Sequence, residues 1–150
     1  MNTLSIDTGF KTYGLRAAKS DDVVEVSFNP SDTEFINRLY EAFSEADRLQ
    51  KGYEAELESA GEDFPAVMEI MRRKDKEIRA AVDSVFNNPV CDSLFPKMNI
   101  FSMGVNGVPV WANMLMAIID VCDADSAEMH SKQEAHIKKY VDKYRKKYHR

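Results

Sequence analysis
Hydrophobic positions change period once along this chain. Up to Phe28 they alternate, and beyond Ser31 they recur every three or four residues. Leu4 and Ile6 share a face in "TLSID", as do Tyr13 and Leu15 in "KTYGLR". In "VVEVSF", Val24, Val26 and Phe28 face away from Glu25 and Ser27. Thr8-Gly9 and "AKSDD" separate the runs. The pattern predicts an antiparallel meander of two or three strands over residues 3–28, too small to stand alone and so packed on a helix.

The change of period falls in "FNPSDTEFINRLYEAF", Phe28 to Phe43. Ser31 followed by Glu34 reads as a capping box, with Asp32 adding negative charge where a helix dipole favours it. Phe35, Ile36, Leu39, Tyr40, Phe43, Ala46, Leu49, Tyr53 and Leu57 then form one stripe, predicting a helix over about 32–59. "SAGED" ends it, with Gly61 as C-cap and Asp63 as the next N-cap. A second helix over about 64–87 carries Phe64, Val67, Met68, Met71, Ile78, Val82, Val85 and Phe86 on one side. So short a connection predicts an antiparallel helical hairpin. Residues 88–107 are irregular and turn-rich at Gly104, Asn106 and Gly107. "VWANMLMAIIDV" predicts the most buried helix of the chain. A polar C-terminal helix over 127–148 keeps a stripe at Ile137, Tyr140 or Val141, Tyr144 and Tyr148. The fold class expected is α+β and mainly helical: a small N-terminal antiparallel β-meander packed on a long helical hairpin, plus C-terminal helices. We expect one domain over 1–150, divided into a meander (1–29), a helical core (30–126) and a basic C-terminal helix or tail (127–150).

Composition adds a constraint on charge. The 150 residues carry a net charge of −5, unevenly spread. Residues 1–125 hold 12 Lys/Arg against 22 Asp/Glu, whereas 126–150 hold 8 against 3. An acidic body with a basic tail can pair with itself, with a second copy or with a polyanion. No apolar run reaches the roughly 18–20 residues that cross a bilayer, so no membrane partner is expected. The first ten residues have neither the basic start nor the apolar centre of a signal peptide, which points to a cytoplasmic location. In that setting Cys91 and Cys122 read as buried thiols rather than a disulfide.

Chemistry-bearing motifs are sparse. His130 and His136 stand six apart, a spacing that does not put two ligands on one helix face. Asp120, Asp123, Asp125 and Glu128 cluster without the glycine turn of a calcium loop. No Gly-x-Ser-x-Gly turn and no glycine-rich phosphate loop occurs. A non-enzymatic protein is expected, with no cofactor, no catalytic residue and no metal. The tail "HIKKYVDKYRKKYHR" interleaves basic residues with tyrosines that could stack bases, but the acidic body repels a polyanion, so nucleic acid is the weaker reading. Eight methionines, six of them in or beside apolar segments, suit both core filling and a surface that accepts varied apolar partners.

Four stretches carry a resemblance: "SIDTGFKTYGL" (Ser5 to Leu15), "SFNPSDTEFINRLYEAF" (Ser27 to Phe43), "NNPVCDSLF" (Asn87 to Phe95) and "VPVWANMLMAIIDV" (Val108 to Val121). In their order the chain resembles the tail assembly chaperones encoded by phages and prophages of Firmicutes. The resemblance implies a binding protein that coats a long helical tape measure protein and keeps it soluble. Tail tube protein subunits then join or displace it as the tube polymerises. Several copies would act together, as a homo-oligomer. No contact residue transfers from that family. The candidate client surface is therefore the irregular apolar stretch with the helix after it: Phe95, Met98, Ile100, Phe101, Met103, Val110 and Met114. Lys138, Tyr140, Tyr144, Lys147 and Tyr148 are the candidate oligomer or tail contacts. Two alternatives stand beside this reading: a structural tail or virion component, and a small nucleic-acid-binding regulator acting through the basic tail.

Overall fold
A computed structural model describes residues 1–125 and 131–148, with side chains described over 1–125 and 137–146. Two strands, β1 (Lys11–Leu15) and β2 (Val24–Phe28), form one antiparallel sheet in which Tyr13 faces Val26 and Leu15 faces Val24. Five helices follow: α1 (Thr33–Ala60), α2 (Phe64–Asp83), α3 (Val90–Leu94), α4 (Val110–Asp125) and α5 (Ser131–Tyr148). Helix accounts for well over half of the chain, so the protein is α+β and mainly helical.

The sheet is the smaller of the two forms expected, with two strands. "TLSID" forms no strand, and residues 1–10 are all exposed. Leu4 and Ile6 keep 85% and 82% of their surface in water. The join to α1 also differs in one detail. The N-cap is Asp32, whose Oδ1 accepts the Glu34 N–H at 3.0 Å, not Ser31. Ser31 is held a residue earlier: its N–H and hydroxyl both donate to Asn29 Oδ1 at 2.9 Å. Asn29 competes for the serine hydroxyl, and the cap passes to the next side chain able to accept. Replacing Asp32 with alanine should therefore cost about 1 kcal/mol. Ser31→Ala should cost well under half as much. Urea unfolding of the two variants separates the assignments.

Helices α1 and α2 run antiparallel. Glu56 meets Arg73 (2.9 Å) and Lys74 (3.1 Å) near the turn, and Arg38 Nε donates to the Val85 carbonyl at the far end. Gly61, at φ 59, closes α1 with its N–H on the Glu58 carbonyl, and Asp63 caps α2 by accepting the Ala66 N–H. Helix α2 stops at Asp83 rather than near 87. Asp83 accepts the Cys91 N–H at 2.8 Å, and Asn87 takes a positive φ of 55, which together turn the chain into α3. Val85 stays buried, and Phe86 tilts against Phe28 and Phe35.

The core sits where the helices converge. Tyr13, Phe28 and Phe35 stack in series at the sheet end. At the other end Trp111, the largest fully buried side chain, lies edge-on to Phe43 and Tyr144 and donates Nε1–H to Gln50 Oε1 at 2.9 Å. Helix α4 buries eight side chains, the densest apolar face in the chain, as its composition predicts. Helix α5 docks through Ile137, Val141 and Tyr144, with Tyr140 half-buried beside them, so the basic tail lies on its own acidic body. Asp47 receives it: Lys143 Nζ (2.7 Å) and the Tyr144 hydroxyl (2.6 Å) both donate to Oδ1, and Lys51 approaches Oδ2 at 3.2 Å. Both cysteines are buried, and neither forms a disulfide. Burial, with the Asp83 carboxylate beside it, pushes the Cys91 thiol far up and leaves it unreactive.

Candidate functional site
The predicted client residues divide by burial. Phe95, Ile100, Phe101 and Met114 belong to the core and offer no surface to a partner, which corrects the expectation for those four. The stretch reads as irregular because it makes no helix, yet its apolar side chains point inward: Phe101 stacks on Tyr53 at 4.2 Å. Val110 is half-buried at the start of α4. Met98 and Met103 are exposed, at 42% and 50%.

What presents those two methionines is a pinned loop. Met103 bridges Pro109, the Gly104 N–H donates to the Val108 carbonyl at 2.8 Å, and Gly107 turns the chain at φ 78. Asn106 and Asn113 exchange side-chain hydrogen bonds across its base, and the Val110 N–H returns to the Ser102 carbonyl. Val105 stands fully exposed at the tip. The preceding turn is tied to α2: Asn99 Nδ2 donates to the Met71 carbonyl (3.0 Å), and the Ile100 N–H to Asp75 Oδ1 (2.8 Å).

Arg79 completes that tie. Its Nε donates to Asp75, its Nη1 to the Cys91 carbonyl and Asp92, and its Nη2 to the carbonyls of Phe95 and Met98, at 2.6–3.2 Å. Five N–H groups meet five acceptors, the full capacity of a guanidinium. The Met98 backbone is thereby tied to α2.

Two further side chains extend this surface, and sequence reasoning assigned them to packing. Phe64 and Met68, one turn apart in α2, are 69% and 39% exposed. The α2 stripe is buried only from Ile78 onward, because α1 buries nothing beyond Gln50 and offers Glu54, Glu56 and Glu58 in its last turns. The thinning of the α1 stripe after Leu49 to every fourth residue (Tyr53 and Leu57), with Glu54, Glu56 and Glu58 between and beside them, is the signal that could have found them. Phe64, Met68, Met98, Met103 and Val105 are thus exposed apolar side chains, three of them thioethers, carried by α2 and the loop on a body whose charge is mainly negative.

The tail contacts divide as well. Tyr144 is buried against Trp111 and Phe43, so it stacks no base and meets no second subunit, which corrects its assignment. Tyr140 is half-buried, stacked on Phe43 with its hydroxyl near that of Ser44. Lys138 is exposed. The side chains of Lys147 and Tyr148, like those of His130, His136 and His149, lie outside the described residues, as does Glu128. Between α5, α1 and α4 runs a groove of about 510 Å³ with Ile36, Leu39, Ile119 and Val141 among its walls and Lys138, Asp142 and Arg145 at its mouth. Among the described residues there is no group of three potential metal ligands, and no helix is long and apolar enough to cross a membrane.

Compared with family models, with curated proteins and with solved structures, the chain has no match.

Proposed function
We propose that this chain acts as a tail-assembly-chaperone-like protein, binding an amphipathic tape measure protein and keeping it soluble until tail tube subunits replace it. One observation carries the reading: exposed methionines on α2 and the following loop of an acidic, mainly helical body. Unbranched thioether side chains adapt to varied apolar surfaces, which suits a long client without a single repeated anchor. The net negative charge of the body keeps a loaded complex soluble. Phe64 and Met68 on α2, with the Met98–Val105 loop, would bind the client as a helix, through residues at three- and four-residue spacing. The high helix content also favours this reading over a structural tube or connector subunit, folds usually built on strands.

Co-expression with the tape measure protein of the same gene cluster tests it. Static light scattering of the lysate should fall when the wild-type chain is present. A Met68→Glu/Met98→Glu/Met103→Glu variant should lose that effect while its own unfolding midpoint moves by only about 0.5 kcal/mol, as for other surface changes. A client left equally insoluble by the wild-type chain refutes the proposal.

A further inference from the structure
Residues 3–7 have the alternation of a strand and, among the described residues, no strand to pair with. Among those residues β1 pairs with β2 alone, so its other edge offers backbone N–H and C=O groups with no strand partner. The segment Thr3–Asp7 is as long as β1, five residues. We propose that this arm adds as a third strand to the free edge of β1 in a second copy, and that the second copy's arm does the same in return. The contact is isologous, with the two arms crossing near Gly9. It involves no client and stands whether or not the tape measure reading does.

The match between arm and edge is chemical as well as geometric. An antiparallel register centred on Gly9 sets Asp7 opposite Lys11 of the other copy, Ile6 opposite Thr12 and Leu4 opposite Gly14. Asp7 and Lys11 then bear opposite charges across the pair. The Lys11 ammonium already donates to Asp125 at 2.6 Å, and its three N–H groups allow a second carboxylate. Leu4 meets the one position of β1 without a side chain. The space above Gly14 is bordered by Val23, whose Cγ1 lies 2.7 Å from where a Cβ would stand, and Val23 is itself 59% exposed. Ile6 lands two residues along the ladder from that cluster, on the same face. Leu4, Ile6 and Val23, three of the most exposed large apolar side chains, thus cover one another.

The same register closed within a single chain would be a hairpin, with Thr8-Gly9-Phe10 as its loop. The structure directs the chain elsewhere. Asn29 Nδ2 donates to the Thr8 carbonyl at 2.9 Å, and Gly9, at φ 75, packs so closely on Asn29 that a Cβ would lie 2.6 Å from Nδ2. Position 29 follows the last residue of β2, so these contacts carry the arm past the end of the sheet instead of back along β1. An arm led away from its own edge is free to reach a second copy's edge, the arrangement of a strand exchange.

Sedimentation equilibrium of the full chain at tens of micromolar, with two sets of variants, tests this. The wild-type chain should weigh twice its 17.1 kDa, and Leu4→Glu/Ile6→Glu should weigh 17.1 kDa with an unchanged circular dichroism spectrum. Both side chains are exposed in the isolated fold, so the variant has no route to unfolding through them. Mixing an Ile6→Cys chain with a Thr12→Cys chain under mild oxidation should give the mixed disulfide in several-fold excess over either homodimer. A monomeric wild-type chain overturns the proposal, since it is what the closed hairpin or a free arm would give. A dimer untouched by the double variant, or homodimeric disulfides alone, overturns it equally.

Discussion
Replacing Arg79 with methionine should cost about 3–5 kcal/mol, the range found when one partner of a buried ion pair is removed. The side chain is 12% exposed and its pair Asp75 is 18% exposed, so water does little to screen the loss. The ion pair is only part of it. Without the guanidinium, the carbonyls of Cys91, Phe95 and Met98 lose a donor each, and the first two, part-buried, are costly to leave unpaired. Arg79→Lys should recover little, because an ammonium is a point donor and cannot span five acceptors arranged around a planar fork. Urea unfolding at pH 7 measures the effect as a lower midpoint with an unchanged slope. A loss below about 1 kcal/mol would mean that the loop is held by its apolar residues alone. Arg79 also fixes where Met98 stands, so its replacement should weaken client protection at temperatures where the fold survives.

That clamp was not legible in the sequence, for a physical reason. Its acceptors are mostly main-chain carbonyls, which any residue supplies, and it links α2 to a loop more than ten residues away. "RRKDKEIR" reads as a solvated polar face, and for Arg72 and Arg73 it is one. Periodicity did reveal what local geometry determines: the antiparallel hairpin, the Gly61 and Asp63 caps, and the burial of "VWANMLMAIIDV". It failed where a partner decides the outcome. Alternation in "TLSID" identifies a strand-forming segment but not whose edge completes it. The apolar run from Phe95 to Phe101 does not say which way its side chains face, and the answer depended on Tyr53 and Trp111, distant in sequence. The tail's tyrosines were ambiguous between stacking and packing, and a single buried acceptor, Asp47, resolves Tyr144 as packing.

Asp47 carries the second large effect. Its replacement by alanine should cost about 2–3 kcal/mol, below the full value for a buried pair because Lys143 and Lys51 remain partly in water. The carboxylate is 5% exposed and receives the Tyr144 hydroxyl, itself buried, so alanine removes a buried hydrogen bond together with two ion-pair contacts. The loss should be local. Helix α5 is polar overall and holds to α1 through Ile137, Val141, Tyr144 and this cluster, so it should separate before the hairpin unfolds. Limited trypsin digestion should then cut the variant at Lys138, Lys139 and Lys143 under conditions that spare the wild type. The pH dependence follows from the same contacts. Burial alone would raise the Asp47 carboxyl, but the bonds from Lys143, Tyr144 and Lys51 outweigh it and hold it below its usual value of 3.8. A folded-state value below the unfolded one means stability that is complete above the unfolded value and is lost as pH falls through the folded one. The stability gap between wild type and Asp47→Asn should therefore stay constant from neutral pH down to about 4 and shrink below it. A gap that instead closes between pH 7 and 5 would mean that the carboxyl titrates high, as burial without those three partners would make it.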